Sequence, residues 1–85
     1  MRDIIFTSVA LEEYSQWAAV DKKVFKKLSS LLQEIARQPF DGTGKPELLK
    51  HDLKGHWSRR ITQEHRLVYR VTENSIVIVS CKYHY

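Results

Sequence analysis

Apolar and polar positions alternate in three distinct rhythms along this chain. Ile4, Ile5 and Phe6 make a short apolar run of strand length between Asp3 and Thr7, and Ser8 is a fair cap for a helix starting just beyond it. Ala10, Tyr14, Trp17 and Ala18 then recur at i, i+4, i+7 and i+8, while Glu12, Glu13 and Gln16 fall off that stripe, which predicts an amphipathic helix over residues 9–19. Asp21 can cap a second helix whose buried stripe is Val24, Leu28, Leu31, Leu32 and Ile35. That helix ends ahead of Pro39, because the proline ring disfavours helical geometry at Gln38. Lys22, Lys23, Lys26 and Lys27 fall on its outer face as a solvated basic stripe.

The rhythm breaks between Phe40 and Lys54, where Gly42, Gly44 and Pro46 supply turn chemistry and Glu47 sits between Lys45 and Lys50 in a polar loop. From Trp57 onward it becomes a strand rhythm: residues 57–61, then 66–71, a Glu73-Asn74 turn, and a run from Ser75 to Tyr83 rich in Ile and Val. Three strands in succession pair most simply as a meander, and the first strand joins them. The fold class is therefore α+β: two N-terminal helices packed on one face of a four-stranded, mainly antiparallel sheet, with the other face free. A period of two places Arg66, Val68 and Arg70 on the open face and Leu67, Tyr69 and Val71 on the apolar one. On the last strand it groups Ser80, Lys82 and His84 against Val77, Val79 and Cys81, and the register expected opposes even-numbered residues so that His84 joins the Arg66 face.

Length and composition narrow the classes. Eighty-five residues make one small domain, 1–85, with a single core of marginal stability, so an obligate partner or a dimer is in keeping with its size. Three glycines and two prolines argue against disorder. One cysteine, Cys81, excludes an intrachain disulfide, and no leader or apolar stretch of about 20 residues points to a membrane, which leaves a cytoplasmic location. Charge is unevenly placed. Residues 1–42 carry six basic and six acidic side chains, whereas residues 43–85 carry eight basic against four acidic, together with all four histidines. A positive half suits RNA or an acidic partner, since phosphate neutralisation releases counterions; a solvated basic face is the plainer reading.

That half also holds the parts of a metal-free ribonuclease. RNA brings its own nucleophile, so the protein has only to remove the 2′-hydroxyl proton, stabilise charge on the phosphorane and protonate the leaving 5′-oxygen. Glu47 among cations suits the base, a histidine suits the acid, and arginine can grip a phosphate through two oxygens. The sequence closes on Tyr83-His84-Tyr85, and an imidazole between two phenols at its last positions calls for burial or a task. Each residue has a blander alternative: His84 as a surface histidine, Arg66 as an ion-pair partner of Glu64 or Glu73, and Tyr83 and Trp57 as core. His51, His56 and His65 read as loop residues. A metal site is disfavoured, because Cys81 and His84 project from opposite strand faces, and no cofactor is called for.

Lys45-Pro46-Glu47, Leu49-Lys50, Leu53, Gly55, Trp57-Ser58-Arg59-Arg60-Ile61, Glu64-His65-Arg66-Leu67-Val68-Tyr69, Cys81 and Tyr83-His84-Tyr85 together resemble the YoeB/Txe-type toxins of the RelE superfamily. Tyr14, Trp17, Asp21-Lys22 and Pro39-Phe40 extend the resemblance across nearly the whole chain. It implies a RelE-like microbial ribonuclease fold and a toxin that cuts messenger RNA in the ribosomal A site and stalls translation. It also implies Glu47 as general base, His84 as general acid, Arg66 as the phosphate-stabilising cation, Lys50 and Arg60 as supporting cations and Tyr85 as the final aromatic. Leu48 departs from the pattern, since relatives often carry Pro there, a change that bears on the Glu47 loop and removes no chemistry. The implied partners are a cognate YefM/Axe-like antitoxin, a second copy of the toxin, the ribosome with its mRNA, and operator DNA only through the antitoxin complex. The competing class is a non-catalytic module that binds antitoxin and nucleic acid in transcriptional autoregulation.

Overall fold

Strand β1 (Asp3–Phe6) leads into helix α1 (Ser8–Val20), whose cap is Thr7 and not Ser8: the Thr7 hydroxyl accepts from the Ala10 amide at 3.1 Å. The structure, a computed structural model, describes residues 1–82. Helix α2 (Lys22–Arg37) starts as its sequence predicts, with the Asp21 carboxylate accepting from the Val24 amide at 3.1 Å, and it stops at Arg37, ahead of Gln38 and Pro39. Its stripe of Leu28, Leu31, Leu32 and Ile35 is buried against the sheet. Each such side chain contributes about 1.5–3 kcal/mol through removal from water.

Among the described residues the sheet has five strands and not four. Beyond β3 (His56–Arg60), β4 (Arg66–Val71) and β5 (Ser75–Ser80), residues Glu47–Leu48 form a two-residue strand, β2, paired antiparallel to β3. The spatial order is β1-β5-β4-β3-β2, with β1 parallel to β5 and every other pair antiparallel. Glu47 therefore sits on an edge strand and not in a free loop. Two residues are too few to show a period in sequence, and this strand exists because β3 offers it a ladder.

The expected register holds in part. Val68 opposes Ser80, even against even, but Tyr69 then opposes Ile78, so Val79 is an extra residue in β5. The bulge inverts which parity faces the core. Ile76 and Ile78 are buried before it and Cys81 after it, whereas Val77 pairs with Arg70 on the side away from the helices. The grouping of Val77 with Val79 and Cys81 is thus corrected. On β4 the alternation stands, with Leu67 and Tyr69 fully buried in the core.

Two anchors hold the parts that frame the site. Trp17 of α1 donates its indole N–H to the Cys81 carbonyl at 2.8 Å, and Glu13 accepts from the Cys81 amide at 2.8 Å, fastening the strand just past β5 onto the helix. Burial pushes the Cys81 thiol up to about 12, with the Glu13 charge adding to the effect. The second anchor is Arg59, a charged side chain with no exposed surface on the helix-facing side of β3. It pairs with Glu34 of α2, and donates to the carbonyls of Gln38, Asp41 and Thr43 and to the Tyr69 hydroxyl. Tyr69 in turn donates to the Pro39 carbonyl at 2.7 Å. One guanidinium thereby fixes the whole connection from α2 towards β2.

Candidate active site

Glu47 reaches the open face of the sheet because the chain ahead of it is turned tightly onto β3. Gly44, at φ +86°, passes so close that a Cβ there would lie 2.9 Å from the Arg60 carbonyl oxygen, and its own carbonyl accepts from the Arg60 amide at 2.7 Å. Lys45 follows at φ 53°, and Glu47 then falls opposite Ser58. Leu49 closes the ladder through a 2.9 Å bond from its amide to the His56 carbonyl, while Lys50 points into solvent three residues beyond the carboxylate.

On this face the structure brings Glu47, Arg66, Arg60 and Ser58 together. Nη1 of Arg66 lies 3.2 Å from Oε1 of Glu47 and donates to the Ser58 hydroxyl oxygen at 3.1 Å. The expected alternatives for Arg66, Glu64 and Glu73, are therefore replaced by Glu47. Arg60 and Arg66 stand directly opposite each other in the β3–β4 ladder. Like charges in that position destabilise a sheet, and an anion placed between them would relieve the repulsion. Arg66 is well covered, with 20% of its side chain exposed, whereas Glu47 is 59% exposed and free to meet a ligand.

Two shallow depressions flank the ion pair. One, of about 520 Å³, is lined by Arg60, Gln63, Glu64 and Arg66; the other, of about 450 Å³, is lined by residues 47–53 and so includes Glu47 and Lys50. A third, of about 590 Å³, lies among β1, α1 and α2 and includes Arg2, Asp3 and Arg37, none of which forms an ion pair among the described residues as Glu47 does with Arg66. The remaining two sequence-predicted residues, His84 and Tyr85, lie outside the described residues. Among the described residues no group of three metal-ligating side chains occurs. His56 is not a loop residue but opens β3, and His65 packs edge-on against Trp17, with ring centroids 4.7 Å apart. Among the described residues, no helix is long and apolar enough to cross a membrane.

Sequence reasoning gave no role to Ser58 or Arg59. Arg59 had a signal: it alternates with Trp57 and Ile61, both on the apolar side, so the period of two already turned it inward. Ser58 had the matching one, since it shares its face with Arg60.

The family described as the YoeB-like toxin of bacterial type II toxin-antitoxin systems matches residues 6–85 of this sequence. The chain belongs to that family. It is 55% identical to Toxin YoeB of Streptomyces coelicolor over 82 residues, which is 96% of this chain and 98% of the relative. Its fold superposes on the YoeB dimer from Staphylococcus aureus with a TM-score of 0.91 at 50% identity, covering 99% of this chain and 98% of that one. The YoeB–YefM complex from the same organism gives 0.90 at 49% identity, covering 100% and 99%. The family membership and the architecture anticipated from sequence are both met, the fifth strand aside.

Proposed function

We propose that this chain is a metal-independent endoribonuclease that cleaves messenger RNA on the ribosome and is held inactive by a cognate antitoxin. The observation that carries the reading is the Glu47–Arg66 pair, a carboxylate and a guanidinium 3.2 Å apart on an otherwise basic sheet face. A module that only binds RNA needs cations and rings but has no use for a carboxylate among them, which favours the enzyme over the autoregulatory binding module.

In this reading Glu47 accepts the 2′-hydroxyl proton as the 2′-oxygen attacks phosphorus. Arg66 holds the two non-bridging oxygens as negative charge builds on them, a task its planar fork suits and a point charge does not. The P–O5′ bond breaks, His84 protonates the departing 5′-oxygen, and a 2′,3′-cyclic phosphate remains. Lys50 and Arg60 hold flanking phosphates, and Tyr85 stacks on a base. No metal or cofactor enters the scheme. The site works in the cytoplasm, where ribosomes are.

Partners follow from the same surface. An acidic antitoxin segment matches the basic half and would order on contact with it. The Staphylococcus aureus relatives solved with YefM and as a dimer support an antitoxin and a second toxin copy as partners here, with operator DNA reached only through the antitoxin. The test is to express the chain without antitoxin and map the 5′ ends of cleaved messages. Wild type should cut within translated frames, and Glu47→Ala should slow cutting by about 10²–10⁴-fold, the reach of one general base. Intact messages in cells arrested by the wild-type chain would overturn the proposal.

A further inference from the structure

Arg66 carries a problem that its partners have to solve. It stands directly opposite Arg60, and Glu47 is a counter-charge to it. In the reaction proposed above, Glu47 takes up a proton and loses its charge at the step when Arg66 is most needed on the phosphate. The hold of that carboxylate on Arg66 weakens at that moment, while Arg60 across the ladder still repels it.

Ser58 is placed to prevent this. It lies in β3 between the two site strands, opposite Glu47 on β2 and opposite Val68 on β4, one diagonal step from Arg66. Its hydroxyl oxygen accepts from Nη1 of Arg66 at 3.1 Å, and the residue has no exposed surface although it belongs to the face away from the helices. Water therefore does not reach the serine end of that bond, and the bond includes no group that takes up a proton in the proposed reaction. Its geometry is set by the ladder itself, because the Leu49–His56 and Gly44–Arg60 backbone bonds fix β3 on either side of Ser58.

We infer that Ser58 is a positioning residue: its buried hydroxyl holds the Arg66 guanidinium in place while Glu47 changes charge and a phosphodiester takes the carboxylate's place. This rests on the ribonuclease reading for its catalytic consequence and on the structure alone for the anchoring. Ser58 itself does not touch the reacting atoms. The bond is a neutral acceptor to a charged donor, and its loss frees the arginine to swing, so the cost falls on the rate of the chemical step and not on RNA capture.

Two measurements on the full-length toxin test it. The first follows the Arg66 side-chain nitrogens by NMR in isotopically labelled protein. In Glu47→Gln, where the carboxylate charge is gone, the two Nη groups should stay resolved because rotation about Nε–Cζ remains hindered, and adding Ser58→Ala should speed their exchange. Merging already in Glu47→Gln, or exchange no faster in the double variant, overturns the inference. The second compares Ser58→Ala with wild type in cleavage of a programmed ribosome. The expected result is a kcat lowered by about 10-fold to 100-fold with KM and melting temperature unchanged. A loss confined to KM, or an unchanged kcat, overturns it. Wild-type protein that shows the expected NMR behaviour and leaves RNA intact sinks the nuclease reading while the anchoring of Arg66 stands.

Discussion

Removing Glu34 should do more harm than removing Glu34 and the charge of Arg59 together. Arg59 has no exposed surface, while the Glu34 side chain retains 27% exposure, so the arginine is the partner left stranded when the pair is broken. Breaking a buried pair on one side costs about 3–5 kcal/mol, and partial solvent access to Glu34 argues for the lower end. An 85-residue chain has roughly 4–13 kcal/mol of stability in all. Glu34→Ala should thus lower the melting temperature by roughly 12–24 °C at about 4–8 °C per kcal/mol. Adding Arg59→Met removes the orphaned charge and should restore part of that loss, although the carbonyls of Gln38, Asp41 and Thr43 then lose a donor. Urea unfolding followed through Trp17 and Trp57 fluorescence measures each variant. Acid gives a second check. Glu34 is held below the usual carboxylate range, first by the Thr43 amide, with the Thr43 hydroxyl and Arg59 adding to it against the opposing effect of burial. Because its folded value is depressed, its contribution is present above the unfolded value near 4.5 and is lost as pH falls through the folded value. The stability gap between wild type and Glu34→Gln should therefore close below about pH 4.5. A cost under about 1 kcal/mol for Glu34→Ala, or a double variant worse than the single one, would refute this account of the anchor.

Three further outcomes are expected. Arg66→Lys should lose most of the cleavage rate, since a point charge cannot hold two phosphate oxygens as the fork does; normal turnover in single-turnover assays would reduce the role to charge alone. Deleting Tyr85 should lower cleavage strongly with little change in thermal stability, and Tyr85→Phe should keep much of the activity; a deletion that melts the protein at unchanged specific activity would make Tyr85 core. In complex with its antitoxin the chain should be protected from hydrogen exchange mainly over residues 45–85, and protection confined to α1 and α2 would point to indirect inhibition.

Much of the frame was legible in the sequence, for reasons that can be named. Helix α2 could be read end to end because its apolar stripe, its Asp21 cap and Pro39 all agree. The face of Arg66 was legible because Leu67, Tyr69 and Val71 share one parity of β4, which leaves Arg66 and Arg70 on the other. What failed was set by tertiary pairing. Val79 resembles its neighbours Val77 and Ile78 in every local respect, so nothing in the sequence marks it as the bulge that reverses the parity of β5. Glu47–Leu48 reads as loop because its ladder partners, Ser58 and Trp57, lie in β3 beyond an intervening turn. The candidate site was legible as a set of residue types and less so as an arrangement: Glu47, Arg60 and Arg66 come together on β2, β3 and β4, Lys50 lies past the His56 end of β3, and the hydroxyl that joins Arg66 to β3 belongs to Ser58, to which the sequence reading gave no role.

The chemistry of the cut ends tests the central claim most directly. Wild-type protein should be given a defined message on purified ribosomes, with chelator added after ribosome integrity is secured, and the upstream fragment analysed by mass spectrometry. Transfer to the 2′-oxygen with Glu47 as base predicts a 2′,3′-cyclic phosphate, or the 3′-phosphate formed from it, together with a 5′-hydroxyl on the downstream fragment. A 3′-hydroxyl on the upstream fragment would mean that water and not the 2′-oxygen attacked, and would contradict the account.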